Sequence, residues 1–154
     1  MDAQRPTEDP RLRALNTRLQ AAMTSLDAAK THCKATHFEA VAANLMVSRI
    51  KHQELAAAAT ARGQHFFDKM KECEAALARQ GGRSETLQAE MIRNRQKAMK
   101  MSADASAHEK KMADIEERMR TVLSEAERLR HERDKRLIEV RKLEAEAIRV
   151  ESLI

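Results

Sequence analysis

The chain has 154 residues, with 29 Lys+Arg against 24 Asp+Glu for a formal charge of +5, and its only aromatic residues are Phe38, Phe66 and Phe67. With so few aromatic and β-branched residues it cannot build a sheet, and the dominance of Ala, Glu, Lys, Arg, Leu and Met is the profile of long helices. No apolar run approaches the ~20 residues that a membrane-spanning helix requires.

Residues 1–9 read as a polar N-terminal tail. The opening "MDAQRPTEDP" lacks the basic-then-apolar pattern of a secretory signal, so an intracellular, reducing compartment is expected, cytoplasmic or cytoskeletal. Asp9 followed by Pro10 suits an N-cap and a first helical position, where proline has no amide to lose. The first helix is therefore predicted over residues 10–80, with Gly63 as its one internal breaker. Gly81 and Gly82 can adopt the left-handed conformation that ends a helix, and Ser84 with Glu85 supplies a cap and a favourable charge for the next. This predicts a turn at 81–83 and a second helix over 84–154, which contains neither Gly nor Pro.

The second helix carries a heptad. Stepping from Leu87 alternately by four and three reaches Met91, Asn94, Ala98, Met101, Ala105, His108, Met112, Ile115, Met119 and Val122. The steps go on to Ala126, Leu129, Arg133, Arg136, Val140, Leu143, Ala147, Val150 and Ile154. Sixteen of these twenty positions are apolar, which is the signature of a coiled coil. Leu123 and Leu137 widen the stripe and mark a place for a third helix or a partner. If the chain reverses at the glycines, facing residues have numbers that sum to a constant. Pairing Leu77 with Leu87 sets it at 164, which puts Cys73 beside Met91, Phe66 beside Ala98 and Gly63 beside Met101. "AAAATA" (56–61) then lies opposite "ADASA" (103–107). Large residues meet small ones, as close packing requires. The fold class expected is all-α: a long antiparallel two-helix coiled-coil hairpin.

Beyond Phe38 the strict count lands on Thr31, Thr24 and Thr17, whereas the large apolar residues are Leu12, Leu15, Leu19, Met23 and Leu26, with Cys33. Two outcomes are open here: a stutter near 37–41 that brings the leucines into the seam, or ends that splay apart. Seven of the nine methionines (Met23, Met46, Met70, Met91, Met101, Met112 and Met119) fall on or beside the stripes and read as core filling.

No catalytic motif is present: there is no phosphate-cradling glycine loop, no nucleophile elbow and no two-histidine zinc helix. A non-enzymatic protein with no cofactor is expected. His32, Cys33 and His37 lie close together, and Cys33 and His37 share a face, but a metal site needs further ligands. Cys33 and Cys73 read as small buried apolar residues. No metal site is expected.

Charge is uneven. Residues 11–80 hold eleven Lys+Arg against six Asp+Glu, and residues 84–154 sixteen against fifteen. Near the turn Arg79, Arg83, Arg93, Arg95, Lys97 and Lys100 form a candidate basic tip, with no acid between Glu90 and Asp104. Such a tip suits an acidic protein surface better than nucleic acid, because base-stacking aromatics are lacking. Asn94, His108, Arg133 and Arg136 interrupt the seam, where polar groups fix register or partner choice at a cost in stability. Arg133 and Arg136 can also reach past the seam to Glu132 or Glu139. A two-helix hairpin buries a narrow seam, so self-association or a larger assembly is expected to add stability. The leading functional expectation is a scaffold subunit binding other proteins in an intracellular assembly, cytoskeletal or ciliary. The alternatives are an adaptor, chaperone-like or stalk hairpin of a secretion or ATPase apparatus, and a nucleic-acid-associated protein using the basic tip.

Overall fold

The computed structural model describes residues 9–154; apart from Asp9, the polar tail lies outside the described residues. Two α-helices make up the described residues, α1 (Pro10–Arg79) and α2 (Glu85–Glu151), packed against each other as an antiparallel hairpin. The start of α1, its end and the start of α2 follow from local sequence, whereas α2 ends at Glu151, short of the expected 154. The Asp9 carboxylate accepts the Arg11 amide at 3.0 Å, which satisfies one of the amides left unpaired at a helix start. At the other end of α1, Gly81 and Gly82 take φ of 68° and 74°. The Gly82 amide donates to the Leu77 carbonyl at 2.9 Å and Gly81 to Ala78 at 3.2 Å, the paired bonds of a Schellman ending. Ser84 Oγ then accepts the Leu87 amide at 3.3 Å and caps α2.

The hairpin divides into two units. One comprises the described residues up to Ala42 with Thr121–Ile154, and the other Ala43–Arg120. In the second unit a Cβ built on Gly63 would lie 3.3 Å from Met101 Cβ, the neighbour that a sum of 164 predicts, and 3.6 Å from the Ala98 carbonyl oxygen. Arg49 Nε meets Glu116 at 2.7 Å, and Ala56, Ala59 and Ala105 are buried. In the first unit the cross-helix ion pairs are Arg13–Glu146 at 3.1 Å, Arg18–Glu151 at 2.9 Å and Glu39–Arg130. All these pairs sum to within five of 164, so the register read near the turn also holds in the unit that contains both helix ends.

Of the twenty predicted seam positions on α2, all but Ile154 are buried or half-buried. On α1 the first unit departs from expectation. The buried positions of α1 keep their seven-residue spacing across residues 37–41, from Ala35 to Ala42, so there is no stutter, and the ion pairs hold the ends together rather than splayed. The buried positions are Ala14, Ala21, Ala28, Ala35 and Ala42, seven residues apart, with Thr31 and the half-buried Thr17, Thr24 and Phe38 between them. Threonine is tolerated here because its hydroxyl bonds its own helix. Thr17, Thr24 and Thr31 donate to the carbonyls four residues back at 2.9, 2.9 and 2.8 Å, so no polar partner is needed across the seam. Against these small residues α2 sets Leu129, Val140 and Val150, all buried. Alanine on one helix makes room for bulk on the other. The consequence is that Leu12, Leu15, Leu19, Met23 and Leu26 are exposed, at 51–67%.

Candidate interaction surfaces

The outward leucines form a second stripe on α1. Stepping from Leu12 alternately by three and four reaches Leu15, Leu19, Ala22, Leu26, Ala29, Cys33, Thr36 and Ala40, all exposed. At 100° per residue this stripe lies about 160° around the helix from the alanine seam. Helix α1 thus has two heptad faces, a small-residue face spent on α2 and a leucine face open to solvent. The sequence expectations about individual residues change accordingly. Cys33 is exposed rather than buried and Cys73 only half-buried. Met23 and Met46 are exposed rather than core, while the other five stripe methionines are half-buried. Heptad spacing explains this, because residue 33 shares its position with Leu12, Leu19 and Leu26.

Leu137 and Leu123, expected to widen the α2 stripe, are exposed. Leu137 borders a shallow groove of about 330 Å³ whose other lining residues are Ser25, Ala28, Ala29, His32 and Arg133. In the other unit a groove of about 530 Å³ runs beside Gly63, with Phe67, Met70, Ala98 and Met99 as its apolar lining and Gln64, Arg95 and Glu109 as polar edges.

The six basic residues near the turn are all exposed, and none forms an ion pair among the described residues, but they do not converge. Arg93 and Lys97 line one groove together with Lys69 and the acids Glu72 and Glu90. Arg95 lines the groove beside Gly63 instead, while Arg79, Arg83 and Lys100 line neither. The Lys97 ammonium stands 5.3 Å from the Phe66 ring centroid, and Lys71 4.8 Å from that of Phe67, so the exposed aromatic face is already occupied by a cation.

The polar seam residues each find a partner. Asn94 Nδ2 approaches Cys73 Sγ at 4.0 Å. His108 meets His52, Nδ1 to Nδ1 at 3.0 Å with ring centroids 5.2 Å apart. Desolvation, reinforced by Lys111, His108 and Lys51, lowers the His52 pKa below the usual histidine value. His52 escapes a sequence reading because the strict sum sets residue 112 opposite it, four residues beyond the actual partner. Arg136 donates to Glu132 at 2.8 Å and reaches across to Thr31 Oγ1. Arg133 turns to Asp134 and to His32 Nδ1 at 2.7 Å, not to Glu139. Among the described residues no three His, Cys, Asp or Glu side chains are grouped to hold a metal ion. Nor is any helix long and apolar enough to cross a membrane. Compared with protein-family models, curated proteins and solved structures, the chain finds no match.

Proposed function

We propose that this chain is a non-enzymatic coiled-coil scaffold subunit that binds other proteins through its outward apolar faces. One observation supports the reading above the others. Among the described residues eighteen large apolar side chains are exposed, Leu12, Leu15, Leu19 and Val47 among them, while alanines fill much of the seam between the helices. A chain that spends its small residues on its own core and keeps its large ones outside has its hydrophobic driving force left for association. The exposed thiol of Cys33 fits a reducing intracellular compartment. The excess of basic residues fits an acidic protein setting, such as a cytoskeletal or ciliary assembly, better than nucleic acid. In support of this order, Arg93 and Lys97 share their groove with Glu72 and Glu90.

The test is a tagged pull-down from native extract, washed at low and then high salt, with bound proteins identified and nucleic acid assayed. A fixed set of proteins that survives high salt is the expected result, because apolar contacts are insensitive to ionic strength. Nucleic acid released steeply by salt would overturn the scaffold reading and move the function to the basic residues near the turn.

A further inference from the structure

We infer that the leucine stripe of α1, from Leu12 to Ala40, is the docking seam for an α-helix of another protein that carries apolar heptads with acidic flanks. The inference rests on the interaction-subunit reading and names the surface and the chemistry of its occupant. Period and charge carry the argument.

The stripe repeats every seven residues. A straight α-helix has 3.6 residues per turn, so a seven-residue stripe drifts by ~20° per heptad around it and stays aligned only along a left-handed supercoiled partner. Over the four heptads from Leu12 to Ala40 that drift sums to roughly 80°, so a flat surface, such as a bilayer, follows the stripe less completely than a helix does. A helix winding around α1 in the same sense follows it throughout. Ala22 between Leu19 and Leu26, and Ala29 between Leu26 and Cys33, leave room for large side chains from that helix, as the alanines of the inner seam do for Leu129 and Val140.

Charge then selects the partner. The positions that flank a heptad seam decide which helices pair. Here they are Arg11, Arg18, Ser25 and His32 on one side, and Asn16, Met23, Lys30 and His37 on the other. No acid appears in either row before Glu39, which is engaged with Arg130. Arg18 is shared with Glu151, whereas Arg11 and Lys30 form no ion pair among the described residues. A second copy docked through the same stripe would bring these basic rows together. A helix with glutamates beside its apolar heptads would meet them with opposite charge.

The probe is a four-heptad synthetic peptide with leucine at both core positions and glutamate at both flanks, titrated onto the full chain by fluorescence anisotropy. Its counterpart has lysine at the flanks. Saturable one-to-one binding of the acidic peptide, at least tenfold tighter than the lysine peptide, is expected. The double variant Leu19→Asn, Leu26→Asn should weaken it at least tenfold with helical circular dichroism unchanged. Equal binding of both peptides, binding by neither, or binding that the variant leaves intact would overturn the inference. So would self-association of the chain alone that the variant abolishes, which would assign the stripe to a second copy. Binding to phosphatidylserine vesicles in the absence of peptide binding would assign it to lipid. The same variant in the pull-down separates the two proposals. Partners kept at high salt by the variant would leave the scaffold reading standing and remove the stripe, whereas an empty pull-down beside a peptide that binds would do the reverse.

Discussion

At Gly63 the helices approach so closely that any larger residue must displace a neighbour, since Met101 Cβ and the Ala98 carbonyl belong to, or lie next to, the opposing backbone. Gly63→Val is expected to lower stability by about 1–3 kcal/mol through overpacking, read as a lower urea midpoint. The His52–His108 pair adds a titratable contact of the same kind. With one ring donating and the other accepting across 3.0 Å, the neutral pair is satisfied, whereas two protonated rings would set donors against each other. Lys51 and Lys111 oppose further charge on His52. Because its folded pKa lies below the unfolded value, the unfolded chain binds the proton more tightly. The contribution is therefore present above the ordinary histidine range and is lost as pH falls through it. Thermal melts of the wild type should fall between pH 7 and pH 5 more than those of His52→Gln, and equal slopes would remove the pair from the account.

Within the elements, position on the heptad decides what a residue is worth. Ala35 and Ala147 are fully buried while Leu19 is 60% exposed, which reverses the usual ranking of alanine and leucine. Ala35→Leu is expected to cost about 1–3 kcal/mol by forcing the helices apart. Leu19→Ala should stay within about 0.5 kcal/mol in the isolated chain, where it removes little buried area. Chemical denaturation of both variants checks the pair, and the reverse order would place the leucines in the seam. The turn depends on backbone rather than side-chain contacts. A Cβ on Gly81 or Gly82 meets nothing within 4 Å, so substitution there is opposed by the positive φ alone, at roughly 1–2 kcal/mol per residue. Gly81→Ala with Gly82→Ala should favour a continuous helix, and with it exchange of helices between two copies, visible as a doubled mass in light scattering.

At the scale of the molecule, the fold rests on which helix α1 meets. Gly63 and Met101 sit at nearly the Cβ separation of about 3.5–4.5 Å that a disulfide requires. With Cys33 and Cys73 replaced by serine, Gly63→Cys and Met101→Cys should form an intrachain bond under mild oxidation and run as a monomer on a non-reducing gel. A product only at twice the mass would show that α2 of another copy occupies the seam. The cross-helix pairs Arg13–Glu146, Arg18–Glu151 and Arg49–Glu116 are partly exposed. They fix the register of this pairing more than they stabilise it, because surface ion pairs contribute little.

The start of α1, the turn and the α2 seam were legible in the sequence. Asp9-Pro10, Gly81-Gly82 and Ser84 act through local backbone geometry, and sixteen apolar positions in twenty leave α2 one face to bury. The sum of 164 was legible too, because a turn of known position sets the register of an antiparallel pair. What remained undetermined was which face of α1 meets α2 in the unit holding the helix ends. There α1 has two heptads, one of alanine and threonine and one of leucine, and hydrophobicity alone favours the leucines. The tertiary structure chose the alanines, because α2 brings Leu129, Val140 and Val150 to the seam and bulk on one helix fits against its absence on the other. The outward leucine face follows from that choice, as does the placing of Cys33. The strict heptad count from the turn lands on that alanine and threonine face, but only the shape of the surface opposite decides that it prevails over the leucines.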